Sequence, residues 1–203
     1  MELFFLYLVI IGSAVFHEYA HGWMAFELGD PTAKNAGRLT LNPFRHIDPV
    51  GTVIIPLLLL FSSGIFLGWA KPVPYNPYFL RDKRFGSLKV ALAGPAANFL
   101  IAVILGLLVR FAAAPLISSG FLPLETLKFL ELIVYVNIIL ALFNLIPIPP
   151  LDGSKIAADL IPGYWRYFGG LGFIGIFIAL SIAFLVLSPL ANTFFSLITG
   201  FTF

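Results

Sequence analysis

From Phe168 to Phe203 the chain carries no charged side chain. One helical crossing of a bilayer takes about 20 apolar residues, so this stretch is too long for a single span, and Ser188-Pro189 is its expected break. Four further runs are similarly apolar: Leu3–Leu28, Thr52–Ala70, Val90–Val109 and Leu132–Leu151. Lipid offers backbone groups no hydrogen-bond partner, so segments of this kind must satisfy their own amides as helices. The chain is therefore predicted to be an all-α polytopic membrane protein with about 4–6 transmembrane helices. Of its 203 residues 60% are hydrophobic and 11% charged, against roughly 45–50% and about 25% in soluble domains. That balance excludes a disordered chain, a coiled coil and a basic nucleic-acid-binding domain. Cysteine is absent, which removes disulfides and thiolate ligands.

Met1–Phe16 has an acidic Glu2, no basic start and no small-residue cleavage site. It is expected to be a retained span and not a leader. Two polar segments separate the first apolar runs. Gly37-Arg38-Leu39-Thr40-Leu41 alternates like a short strand, and Lys71-Pro72-Val73-Pro74-Tyr75 allows only an edge strand or an extended segment. Together they predict a small membrane-associated β segment.

Charge placement selects a topology. If every run crosses, five basic residues fall on one side and seven on the other. If Thr52–Ala70 enters and returns as a re-entrant hairpin, ten of the twelve share one side, and only Arg110 and Lys128 lie opposite. Pro56 and Ser62-Ser63-Gly64 supply the expected break. The second arrangement predicts a multi-pass protein of the cell membrane whose first and fourth apolar runs end on the cytoplasmic side.

His17-Glu18-Tyr19-Ala20-His21 reads HExxH inside an apolar helix. Histidines four apart lie about 40° from each other round the helix, on adjacent turns of one face. Two imidazoles can then converge on one metal ion, with Glu18 beside them as the base for an attacking water. A satisfied core histidine pair is the plainer alternative. Against it, the chain has only three histidines, and an unpaired ionisable group in a span costs about 2.5–3.5 kcal/mol or more. Catalytic zinc usually takes three protein ligands. Asp152 is the expected third: it follows Asn144-Leu-Ile-Pro-Ile-Pro-Pro-Leu151, whose prolines end the helix and leave Asp152 on an extended segment. The hairpin topology puts Asp152 on the same side as His17 and His21, whereas five full crossings put it opposite. A helix N-cap is the alternative role for Asp152. Glu27 points round the helix, away from the histidines. Asp30, His46 and Asp48 are expected to be solvated or capping. Asn98 and Asn144 are polar groups in apolar helices. They either bond between helices or donate to a peptide carbonyl or oxyanion.

These pieces together resemble the site-2 protease family (peptidase family M50) of intramembrane zinc metalloproteases. The resemblance rests on Phe16-His17-Glu18-Tyr19-Ala20-His21-Gly22, Gly94-Pro95-Ala96-Ala97-Asn98 and Asn144 through Asp152-Gly153. Arg38-Leu-Thr-Leu-Asn-Pro43 and Gly68-Trp-Ala-Lys-Pro-Val-Pro74 resemble its membrane-associated β segment. It implies one zinc ion per chain on His17, His21 and Asp152, Glu18 as catalytic base, and Asn98 and Asn144 near the substrate. It further implies a single intramembrane protease domain over 1–203, with a core at about 3–154, C-terminal helices at about 168–203, and no PDZ or CBS domain. Single-span or other membrane proteins would be the substrates, the bilayer the surroundings, and nucleic acid no partner. A metal transporter or channel is the first rival, but it would need ligands spread along a path across the bilayer. An inactive scaffold is the second, and the intact HExxH argues against it.

Overall fold

In a computed structural model, residues 2–63, 68–121 and 123–203 are described. All regular structure among them is helical. The chain divides into two compact units, Met1–Gly86 and Ser87–Phe203.

The first unit is built on α1 (Glu2–Glu27), which carries both histidines of the HExxH motif. A short α2 (Thr32–Asn35) follows, and Asp30 accepts from Thr32 N at its start. Asp48 then caps a π-helical turn over Pro49–Ile54, accepting from Val50 N and Gly51 N, and α3 (Ile55–Ser63) continues from it. The helix runs straight through Pro56, which does not break it. Gly64, the last residue of the expected Ser62-Ser63-Gly64 break, lies outside the described residues, as do residues 65–67. Beyond them the chain lies beside the place it left. Trp69 N donates to Gly51 O at 3.0 Å, Thr52 Oγ1 to Trp69 O at 2.9 Å, and Lys71 N to His46 O at 2.9 Å. Gly51 is required for this approach, since a Cβ there would sit 2.1 Å from the Trp69 indole nitrogen.

The expected β segment is not present among the described residues. Gly37–Leu41 forms a turn and bends, and residues 71–75 take no regular secondary structure. Pro72 and Pro74 have no N–H to give, so a ladder there is starved of donors. What joins the two segments is a side chain: the Arg38 guanidinium donates to Lys71 O at 2.9 Å and also to Arg45 O.

The second unit packs three long helices. These are α4 (Gly86–Leu108, extended by a π turn at Val109–Ala113 and the short α5, Ala114–Ser118), α6 (Leu124–Asn144), and a continuous helix made of α9 (Gly172–Ile182), a π turn (Ala183–Leu187) and α10 (Ser188–Thr199). With α1 they are the four helices among the described residues that are long and apolar enough to cross a membrane. Ala102, Val134, Ile138, Ala191 and Phe195 form the buried core of this bundle. Small residues bring the helices together: a Cβ on Gly106 would sit 2.5 Å from Ile198. Arg110 donates to Leu197 O at 2.8 Å, so α4 and α10 end at the same level and run in the same direction, with α6 returning between them in sequence.

The expected break at Ser188-Pro189 does not occur. The helix passes through Pro189, and the chain breaks instead at Gly169-Gly170, before α9. The same arrangement recurs elsewhere in the chain, although Pro95 sits inside α4 without it. Among the described residues, each of the three π turns, at Pro49–Ile54, Val109–Ala113 and Ala183–Leu187, ends two residues before a proline: Pro56, Pro115 and Pro189. A proline ring collides with the carbonyl four residues back and leaves it without a donor. Widening the preceding turn by one residue moves that carbonyl aside and keeps the helix whole.

Between α6 and α9 lie α7 (Asp152–Leu160) and α8 (Tyr164–Phe168). Asp159 of α7 accepts from Leu88 N in the first turn of α4 at 2.8 Å, and Tyr164 of α8 donates to Pro147 O at 2.7 Å. The first bond fixes α7 against the start of α4, and the second fixes α8 against the proline segment that follows α6.

Candidate metal centre

In the first unit, His17 and His21 stand one turn apart on α1 and are 6% and 8% exposed. Their Nε2 atoms face each other at 3.0 Å, with ring planes at 84°. Two nitrogens on one tetrahedral zinc with bonds of 2.0–2.1 Å would be about 3.3 Å apart. The pair thus already has the spacing of two donors to a common ion, and burial keeps water from competing for them.

Glu18 leaves α1 on a neighbouring direction. Its Oε2 accepts the backbone N–H of Val73 at 2.7 Å. The segment that carries Val73 comes this close because Gly22 follows one turn later; a Cβ there would touch Val73 Cγ1 at 3.0 Å. Val73 escaped the sequence reading, although Pro72 and Pro74 on either side leave it the only donor among those three residues. Asp30, expected to be solvated or capping, is buried outright and accepts main-chain N–H groups from both sides. Its Oδ1 accepts from Thr32 N, and its Oδ2 from Asn76 N at 2.6 Å. His46 was expected in solvent or at a cap; it is 1% exposed, with Nε2 at 2.8 Å from Thr40 O. A loop packed under Arg38 and Lys71 buries it, and hydropathy alone does not show that.

In the second unit, Asp152 is the first residue of α7 and not part of an extended segment. Leu151 before it is extended, with ψ 159°. Asp152 makes no side-chain cap. It is 6% exposed and pairs with Lys155 Nζ at 3.0 Å, an i,i+3 pair that holds the carboxylate in the first helical turn. Gly153 permits this turn to form against the end of α6, because a Cβ there would lie 2.3 Å from Leu145 O.

Asn98 is fully buried, and its amide donates to Asn137 Oδ1 on α6 at 2.8 Å. Asn137 in turn donates to Ile133 O. This is the interhelical bond of a membrane bundle. Asn137 was missed by the sequence reading, yet it carries the same signal as Asn98, an amide in an uncharged run. Asn144, half-buried at the end of α6, donates to Leu140 O at 2.9 Å.

The sequence model described as Peptidase family M50 matches residues 119–188. Over 161 residues the chain is 38% identical to "Putative zinc metalloprotease YwhC" of Bacillus subtilis, covering 78% of this chain and 69% of that one. It is 35% identical over 150 residues to "Putative zinc metalloprotease Rip2" of Mycolicibacterium smegmatis, covering 72% of this chain and 54% of the relative. It is 27% identical over 156 residues to "Putative zinc metalloprotease MJ0611" of Methanocaldococcus jannaschii, covering 76% and 70%. The chain therefore spans little more than half the length of the mycobacterial relative. No solved structure matches it significantly.

Proposed function

The chain belongs to peptidase family M50, the site-2 protease family, and on that premise we propose that this multi-pass membrane metalloprotease is a zinc-dependent endopeptidase that cuts its substrates within or beside a transmembrane segment. The observation that carries the proposal is the buried His17–His21 pair on a membrane-length helix, Nε2 to Nε2 at 3.0 Å. A protease whose metal donors lie in a bilayer-spanning helix meets its substrates there.

His17, His21 and Asp152 each offer one ligand atom, and we assign them to a single zinc ion. When bound, zinc polarises the scissile carbonyl and acidifies water. The remaining work belongs to the chain. Glu18 takes the proton of the attacking water and returns it to the departing amine. Burial of the histidines keeps bulk water from the donors. A substrate helix shields its amides and must unwind before attack, and an extended stretch is best held by main-chain pairing. Lys71–Pro74 offers no donor for that pairing: Lys71 N–H is bonded to His46 O, Val73 N–H to Glu18, and the prolines have none. We assign the role to Arg38–Leu41, where Arg38 N–H is already bonded to Ala33 O, so the pairing would use the residues after it. Asn98 and Asn144 remain assigned to the neighbourhood of the substrate, Asn98 through the Asn137 pair.

We place Thr52–Ala70 as a re-entrant hairpin, a reading supported by the bonds that join Gly51 and Thr52 to Trp69. The protein is then a single protease domain of the cell membrane with its catalytic side toward the cytoplasm, acting on single-span or other membrane proteins. Co-expression of candidate single-span proteins with the intact chain and with Glu18→Gln tests this. A fragment that appears only with the intact chain supports it. Cleavage of soluble proteins alone would overturn it.

A further inference from the structure

The chain spends an unusual amount of structure on the segment from Lys71 to Arg81, a strap that lies along the second half of α1. Four main-chain donors fasten it. Lys71 N donates to His46 O at 2.9 Å, Arg81 N to Leu28 O at 2.8 Å, Asn76 N to the buried Asp30 carboxylate at 2.6 Å, and Val73 N to Glu18 Oε2 at 2.7 Å. The bonds to Leu28 and Asp30 fix the strap to the residues just after α1. The bond from Val73 reaches the one carboxylate of the HExxH motif.

We propose that the Val73 main-chain amide, presented by the strap between Pro72 and Pro74, is the positioning group that orients the Glu18 carboxylate for proton transfer. This rests on Glu18 being the general base. A glutamate on its two methylenes samples many orientations, and immobilising such a chain costs rotamer entropy. An N–H donated to one oxygen removes that freedom beforehand and is strengthened by the negative charge it meets. With Oε2 held, Oε1 is the oxygen left to take the proton. Proline on both sides of Val73 stiffens the donor: Pro72 has a fixed φ, and Val73, preceding Pro74, is confined to extended geometry. Neither proline competes as a donor, so the strap presents a single N–H to the carboxylate. Gly22 provides the clearance, with Val73 Cγ1 at 3.0 Å from where its Cβ would be. Asp30 acts one step further back. It is 0% exposed and surrounded by donors from Thr32 and Asn76, and it locks the strap three residues beyond Val73.

Two measurements on the full zinc-loaded chain in detergent test this. The first is amide hydrogen exchange in a peptide covering 71–75, where only Lys71, Val73 and Tyr75 carry exchangeable amides. Glu18→Ala should accelerate exchange at Val73 at least tenfold and leave Lys71 unchanged. The second compares Val73→Pro, which deletes the N–H, with Val73→Ala, which keeps it and reports the cost of lost packing. With a single-span substrate found by co-expression, Val73→Pro should fall about 10–100-fold below Val73→Ala in kcat, the scale of a misplaced catalytic group. KM and zinc content should match between the two. Unchanged Val73 exchange in Glu18→Ala overturns the proposal even if Val73→Pro fails to fold. So does equal kcat in the two Val73 variants, or a loss confined to KM. If Glu18→Gln turns over like the wild type, the general-base reading fails and takes this inference with it. If Glu18→Gln is inactive while the Val73 variants match, only this inference falls.

Discussion

His17 and His21 hold their Nε2 atoms 3.0 Å apart with ring planes at 84°. Two unprotonated nitrogens at that distance point lone pairs at each other, which is favourable only with a proton or a cation between them. Purified chain is therefore expected to hold one zinc per chain by elemental analysis. His21→Ala should lose most of it, since one nitrogen and Asp152 make a poor site. Full retention would remove His21 from the ligand set.

Glu18→Gln preserves the shape of the side chain and can still accept the Val73 N–H, but it cannot take up a proton. Zinc content and melting temperature should stay near wild type while cleavage drops by about 10²–10⁴-fold or more. Wild-type turnover would refute the general-base role.

The bonds from Trp69 to Gly51 and Thr52 and from Lys71 to His46 bring the start of the Thr52–Ala70 run beside its end. Single cysteines at Asn42 and Asn76 should accordingly react with an impermeant reagent from one side of the membrane, the cytoplasmic one. Ser119 should react from the other. Arg110 to Leu197 adds a fourth site: a cysteine at Thr202 should report the same side as Ser119. Labelling of Asn42 and Asn76 from opposite sides would replace the hairpin with a full crossing.

Gly153→Ala forces a Cβ to within 2.3 Å of Leu145 O. The first turn of α7 must move, and Asp152 with it. Zinc content should fall by at least half in a chain that still migrates as a folded species, whereas Ala157→Gly, later in the same helix, should keep its metal at a cost of about 1 kcal/mol in stability. Metal retention in Gly153→Ala would argue against Asp152 as a ligand.

Asn98 and Asn137 bond to each other in the interior of the second unit. Their leucine variants should be non-additive in stability, with a coupling of about 0.6–1.7 kcal/mol. Additivity would free the Asn98 amide for a substrate.

Much of the site was legible because it is local. The i,i+4 spacing of His17 and His21 is a property of any helix. Asp152 was expected on an extended segment and instead opens a helix: prolines at 147, 149 and 150 follow the end of α6, yet they also free a new helix to begin at once. The strand pair was misread because alternation in Arg38–Leu41 signals extended backbone and says nothing of donors, and donors are what Pro72 and Pro74 remove. Val73 and Asp30 act through main-chain amides far away in sequence, which side-chain patterns do not encode. The Pro189 break failed because the cost of a proline in a helix can be absorbed one turn earlier.

That absorption has a consequence for rotation. One surplus residue in a helical turn advances the face of everything after it by about 100°. The buried residues of α10 and its approach, Leu187, Ala191, Phe195 and Thr199, recur every fourth position after the wide turn at Ala183–Leu187. Their alignment with the bundle is therefore set by a residue count upstream, not by their own identity. Deleting a single residue from 183–187 would turn Phe195 out toward lipid without altering one side chain of the core it leaves.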